Sequence, residues 1–328
     1  MPRFFFNIRN GNGLTEDEEG RDLPDAATAR EAALKGVRSI VAEEVKEGHL
    51  DLGGRIEVID EAGTSVIEVP FGEALALERG SGASPRARSG STEIGEGMER
   101  RLRQIGELAD GDAYALHSLE GQIREVGRGE DLLVEGDRPT TSVIVLSGLL
   151  QRYNVSGEGR RQIHGFYIAS DTPCLETIHI DYMDNNLGAA APSRVGIVPH
   201  AELHRVMEER PKLRALIWRE TLIQASIFRI WLMRNSQMLA HAALAHLFCE
   251  MLTRARAACL SDGASMDLPL TQEDVADALG MTSVHVNRTL AVLRSGALAD
   301  FRGGRLSVPD VDRLAETAEF DPRYLHLR

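Results

Sequence analysis

The stretch Thr271–Arg294, TQEDVADALGMTSVHVNRTLAVLR, decides the reading of the chain. Thr271 and Asp274 stand three apart, a capping-box variant in which each side chain satisfies the other's backbone N–H, so a helix opens there. That helix is short and stops at Leu279-Gly280, where glycine adopts the left-handed conformation without steric cost. Thr282 can then N-cap a second helix. Val275, Leu279, Met281, Val286 and Leu290 fall where two crossed helices bury them, and Ala276 is small where the helices approach. Helix, glycine turn and helix is the helix-turn-helix pattern.

The second helix presents Ser283, Val284, Asn287 and Arg288 near its start, flanked by His285. Arginine can pair bidentately with guanine, asparagine with adenine, and valine can touch a thymine methyl. Asn287 and Arg288 are therefore the expected base readers. Thr282 and Ser283 at the helix N-terminus suit phosphate. Downstream, LADFRGGRLS over Leu298–Ser307 predicts two short strands around Gly303-Gly304. This β-hairpin wing carries Arg302 and Arg305 beside the expected double-stranded DNA.

The overall charge argues the other way. The 328 residues hold 37 Lys and Arg against 50 Asp and Glu, a net −13, whereas DNA binding usually leaves a basic footprint. The imbalance is uneven, however. Met1–Arg79 carries 9 basic and 17 acidic residues, and Met281–Arg305 carries four Arg and one Asp.

Working outward, Arg79–Gly97 (RGSGASPRARSGSTEIGEG) is rich in Gly, Ser, Ala and Pro and reads as a flexible linker. Before it, Phe4–Ile8 predicts a strand, Asn10–Gly13 a turn, and Leu23 to Lys46 a helix whose apolar residues recur three or four apart. Arg55–Ile59 and Ser65–Val69 predict a hairpin around Glu61-Ala62-Gly63. After the linker, Met98–Leu119 predicts two short helices around Asp110-Gly111-Asp112. From Gly121 to Pro199, short apolar runs alternate with glycine turns, the pattern of an antiparallel roll. Pro211 to about Leu260 is helical. Leu216, Ile223 and Ile230 recur at seven, with Leu213 and Ile227 alongside, a seam for pairing with a second helix. Burial against the chain's own roll is the competing reading of that seam. Trp218 and Trp231 read as packing residues.

The expected fold class is thus α+β. Its parts are a β-α-β-β module over 1–79, a linker over 80–97, a β-roll over 98–206, a long helix and hinge over 207–262, and a winged helix-turn-helix over 263–328.

This order resembles the Crp/Fnr family of bacterial transcription regulators over about Glu99–Arg328. The likeness rests on TQEDVADALGMTSVHVNRTL with the wing, and on Asp131–Phe166, DLLVEGDRPTTSVIVLSGLLQRYNVSGEGRRQIHGF. It implies a homodimer through the long helix, a cyclic-nucleotide-binding-like roll, palindromic DNA sites and action on RNA polymerase. Family recognition helices commonly carry Arg-Glu before a later Arg; here Ser283-Val284 precede Arg288, so only Arg288 carries over. Cyclic-nucleotide binders carry Gly-Glu and then Arg-Ser or Arg-Thr, whereas this chain has Ile168–Glu176 and then Met183–Asn186. From Gln162 to Leu203 the only Lys or Arg is Arg194. A buried phosphate needs a fixed cation, so the expected effector, a small molecule or a protein, is not a cyclic nucleotide. PRFFFNIRNG and GRDLPDAATAREAAL resemble a small uncharacterised bacterial domain, which implies no activity.

Other constellations are weaker. Three Cys without a CxxC pair argue against a disulfide framework or iron–sulfur cluster and for a reducing cytoplasm. His200 and His204 lack an HExxH context, so no metal, cofactor or catalytic residue is expected, and the chain does not read as an enzyme. No apolar run approaches membrane-spanning length. The alternative function is a signalling or interaction module whose DNA-binding end has lapsed, favoured by the acidic balance and the missing Arg-Glu pair.

Overall fold

A computed structural model describes residues 2–10, 13–17, 20–46, 54–71 and 86–328. The expected turn at Gly11-Asn12 and the linker residues 80–85 lie outside them. Two compact units divide the chain at 82/83.

The first unit is a sheet with one helix. Strands β1 (Arg3–Asn10), β4 (Arg55–Asp60) and β5 (Ser65–Pro70) are its body, joined by the short β2 (Gly13–Thr15) and β3 (Arg21–Asp22), both paired with β1. Helix α1 (Ala26–Lys46) sets Ala29, Ala33 and Val37 against Phe4, Ile56, Val58, Val69 and Phe71. The side chains of Ile40, Val41 and Val45, read on the same face, lie outside the described residues.

The second unit opens with α2 (Arg86–Ile105) and α3 (Asp110–His117). The stretch read as linker is therefore helical from Arg86, and Asp110–Asp112 form the first turn of α3 rather than a bend. Ile94, Met98, Leu102 and Ile105 recur every three or four residues and are buried. Two of the glycines in that stretch, Gly95 and Gly97, serve close packing. A Cβ on Gly95 would lie 2.5 Å from the Cα of His117, and one on Gly97 3.0 Å from Ile144.

Two antiparallel sheets build the roll. One orders β10 (Arg161–Tyr167), β9 (Leu150–Val155), β11 (Asn186–Ala189) and β7 (Asp131–Leu133). The other orders β6 (Gln122–Val126), β12 (Ser193–Pro199) and β8 (Thr141–Ser147). Val126, Val145, Leu150, Leu187 and Val195 from both sheets share one core. Strand β11 was not foreseen; its Asn-Leu-Gly-Ala sequence gives no alternation.

Helices α4 (His200–Glu209), α5 (Pro211–Gln237) and α6 (Ala240–Ala257) follow. On α5 the inward face is Leu213, Ile217, Glu220, Ile223, Ile227, Trp231 and Arg234, all buried within the chain. Three of the five seam residues thus pack inward, while Leu216 and Ile230 are half-buried at the sides. The exposed apolar face is instead Trp218 (56%), Leu222, Phe228 and Leu232 (64%). Helix α5 is apolar on both sides, so seven-residue spacing alone does not choose between them. Trp231 packs as expected; Trp218 does not.

Charged side chains run through this core. Arg101 of α2 meets Glu220 of α5 at 2.9 Å. Arg254 of α6 meets Asp171 at 2.6 Å and Glu250 at 3.2 Å, and donates to the Phe166 carbonyl at 2.8 Å. Glu250 also accepts from the Trp231 indole at 2.9 Å and the Tyr324 hydroxyl at 2.8 Å. Arg234 lies 4.1 Å over the Trp231 ring, and burial lowers its pKa to about 10.

Removing one partner of a buried pair strands the other charge in a low dielectric. Asp171→Ala is expected to lower the unfolding free energy by about 3–5 kcal/mol, read as a shift of the urea midpoint. His246 is buried between Phe320 and Tyr324. Burial, aided by the nearby Arg234 charge, lowers its pKa from 6.5 to about 4. In that window the unfolded chain binds a proton that the folded chain refuses. Stability is therefore fully present above about pH 6.5 and lost as pH falls toward 4. His246→Gln is expected to flatten that slope in urea titrations at pH 7 and pH 5.

Candidate nucleic-acid interface

Helix α7 (Gln272–Leu279) and helix α8 (Ser283–Ser295) form the helix-turn-helix. Local chemistry sets both starts. The Thr271 hydroxyl accepts from the Asp274 N–H at 3.1 Å, and the Asp274 carboxylate accepts from the Thr271 N–H at 2.9 Å. Gly280 ends α7 at φ +65°, the left-handed region that only glycine enters freely. Thr282 caps α8 by accepting from the His285 N–H at 3.2 Å. Val275, Ala276, Leu279, Val286 and Leu290 are buried where the helices cross.

Arg288, Asn287, Val284 and Ser283 all lie exposed on one side of α8, with Val284 71% exposed, and with Gln272 they line a shallow recess of about 440 Å³. Arg288 has no hydrogen bond or ion pair among the described residues. Asn287 donates to the Gln272 side chain at 3.3 Å. Gln272, first residue of α7, was not named from the sequence, because it reaches the recess only through the crossing of the helices. His285 is also exposed, at the flank. The Thr282 hydroxyl accepts the capping N–H and keeps its own proton to donate.

The wing is β14 (Asp300–Arg302) and β15 (Arg305–Ser307), with β13 (Ser265–Asp267) added on the other side of β15. Gly303 and Gly304 have φ of +58° and +74°, the pair of positive values a tight I′ hairpin turn requires. Neither wing arginine is free. Arg302 meets Asp300 at 3.1 Å, and Arg305 meets Asp267 at 3.1 Å and the Ser265 hydroxyl at 2.9 Å. These exposed pairs are weak and exchangeable, so either guanidinium can turn to a phosphate.

A second cavity, of about 380 Å³, opens between β9, β10 and α5. Sequence register left this region without a cation, since Arg194 lies on β12 and pairs with Glu93 at 2.8 Å. The fold brings Arg152 and Arg254 to its wall from other elements. Both are already neutralised, Arg152 by Glu176 and Arg254 by Asp171. His164, also on the wall, donates from Nε2 to the Asn154 amide oxygen at 2.8 Å, and burial lowers its pKa to about 4. Cys174 is fully buried, and burial pushes its thiol up to about 12, which makes it a poor nucleophile.

No helix among the described residues is long and apolar enough to cross a membrane. Residues 3–72 match the family model of a domain of unknown function, DUF6894, and residues 242–317 match the Crp-like helix-turn-helix domain. The nitrogen fixation regulation protein FixK of Bradyrhizobium diazoefficiens is 33% identical over 215 residues, covering 63% of this chain and 87% of the relative. A probable transcriptional activator of Rhizobium leguminosarum is 26% identical, covering 60% and 84%. The solved structure of FixK2 from Bradyrhizobium japonicum superposes with a TM-score of 0.56 at 22% identity, covering 61% of this chain and 98% of that one. The α+β reading, with its roll and winged helix-turn-helix, agrees with that fold. The likeness noted in the sequence is thereby established, and the chain belongs to the Crp/Fnr family of DNA-binding transcription regulators.

Proposed function

We propose that the protein binds palindromic DNA as a homodimer, with one α8 in each of two successive major grooves. Arg288 and Asn287 read bases, with Ser283, Val284 and His285 beside them. Thr282, Arg302 and Arg305 hold phosphates. The observation that carries this reading is the exposed Arg288, unpaired among the described residues, beside Asn287 on the first turns of a capped helix. A paired wing binds modestly, so two copies are needed for affinity at physiological salt. The exposed apolar face of α5, Trp218, Leu222, Phe228 and Leu232, supports pairing with the same face of a second copy. The complex acts in the cytoplasm by recruiting or blocking RNA polymerase, and it performs no chemistry of its own. The internal pairing of Arg152 with Glu176 disfavours an anionic cyclic nucleotide as effector.

In vitro selection of bound DNA tests the reading, since it must return a two-fold symmetric sequence. A selection that returns no sequence would favour a module that no longer binds DNA. Arg288→Ala is expected to cost about 1–3 kcal/mol of specific binding and to relax one base position per half-site, measured by competition binding. Leu222→Glu places a charge in the apolar face of each copy. It is expected to shift the protein to monomer in light scattering and to reduce palindrome affinity to that of a half-site.

A further inference from the structure

Helix α7, which precedes the proposed recognition helix, is tethered to the rest of the second unit by its charged side chains and its last carbonyls. Asp274 is nearly buried, and its carboxylate already serves the cap. Two arginines of the roll supply its countercharge: Arg161 at 2.9 Å and Arg128 at 3.3 Å. Arg161 also meets Asp277, one helical turn on, at 2.7 Å. The last carbonyls of a helix have no partner within it. Here the Asp277 carbonyl accepts from the Gln162 amide of β10 at 2.7 Å, and the Ala278 carbonyl from the Asn235 amide of α5 at 2.8 Å.

These contacts fix α7 both to the roll and to α5. Helix α7 shares its apolar core with α8, so they also fix the recognition helix against the helix proposed to lie at the dimer axis. None of them covers the exposed face of α8. They hold the recognition helix in place without hiding it.

We propose that Arg128 and Arg161, through Asp274 and Asp277, are positioning residues that set the spacing between half-sites that the dimer accepts. This rests on the dimer reading above. Each base pair inserted at the centre of a palindrome turns one half-site by about 35° and moves it about 3.4 Å. A held recognition helix cannot follow that displacement, whereas a released one can.

The test uses the full-length chain and the selected palindrome with its centre shortened or lengthened by one or two base pairs. Wild-type affinity is expected to fall by about tenfold or more at the two-base-pair changes. For the double variant Arg128→Gln, Arg161→Gln, affinity at the optimal spacing is expected to fall about tenfold, with a nearly flat dependence on spacing. Its affinity for a single half-site duplex is expected to be unchanged, which shows that the helix-turn-helix is intact. Arg160→Gln removes the same charge from the neighbouring position, where the arginine pairs with the exposed Glu158, and should keep the wild-type profile. A double variant as selective for spacing as wild type overturns the proposal, as does equal flattening by Arg160→Gln. A wild-type protein that binds the palindrome no more tightly than one half-site overturns the dimer reading itself, and the spacing role with it.

Discussion

Arg254 is the side chain on which the second unit turns. It is buried in α6 and takes its countercharges from Asp171 in the roll and from Glu250 one helical turn back. Glu250 in turn is held by Trp231 from α5 and Tyr324 from the C-terminal turn. Desolvated charges are tolerable only when every partner is in place. The roll, α5, α6 and the C-terminus must therefore assemble in one register. The result is a continuous apolar core from Ile94 to Leu325, so the helix-turn-helix is carried on the roll rather than suspended from it.

That arrangement reconciles an acidic protein with DNA. Within the DNA-binding half, four acidic side chains are engaged by arginines. Asp274 and Asp277 face the roll, and Asp267 and Asp300 pair with wing arginines. Arg288, on the exposed face of α8, has no such partner among the described residues. Net charge counts residues, while binding depends on which face they occupy.

Much of the site was legible because its determinants are local. A capping box, a left-handed glycine, an N-cap threonine and a Gly-Gly hairpin turn each act over four residues or fewer, and all of them form. Strands β2, β3, β11 and β13 were missed; each is only two to four residues long, and β11 and β13 owe their existence to neighbours far away in sequence. The linker was misread for a related reason. Gly95 and Gly97 look flexible in isolation, but they are small because another helix and the roll lie against them.

The sequence by itself determined the order of elements, the helix-turn-helix and the identity of its exposed residues, since these follow from spacing and capping within short segments. Tertiary structure decided which face of α5 is buried, because both faces are apolar and only the packed roll distinguishes them. It also decided where the cations sit. Arg152 and Arg254 reach the roll cavity, and Arg128 and Arg161 reach α7, the last two across more than a hundred residues. No one-dimensional spacing records such approaches, because chain reversals set them.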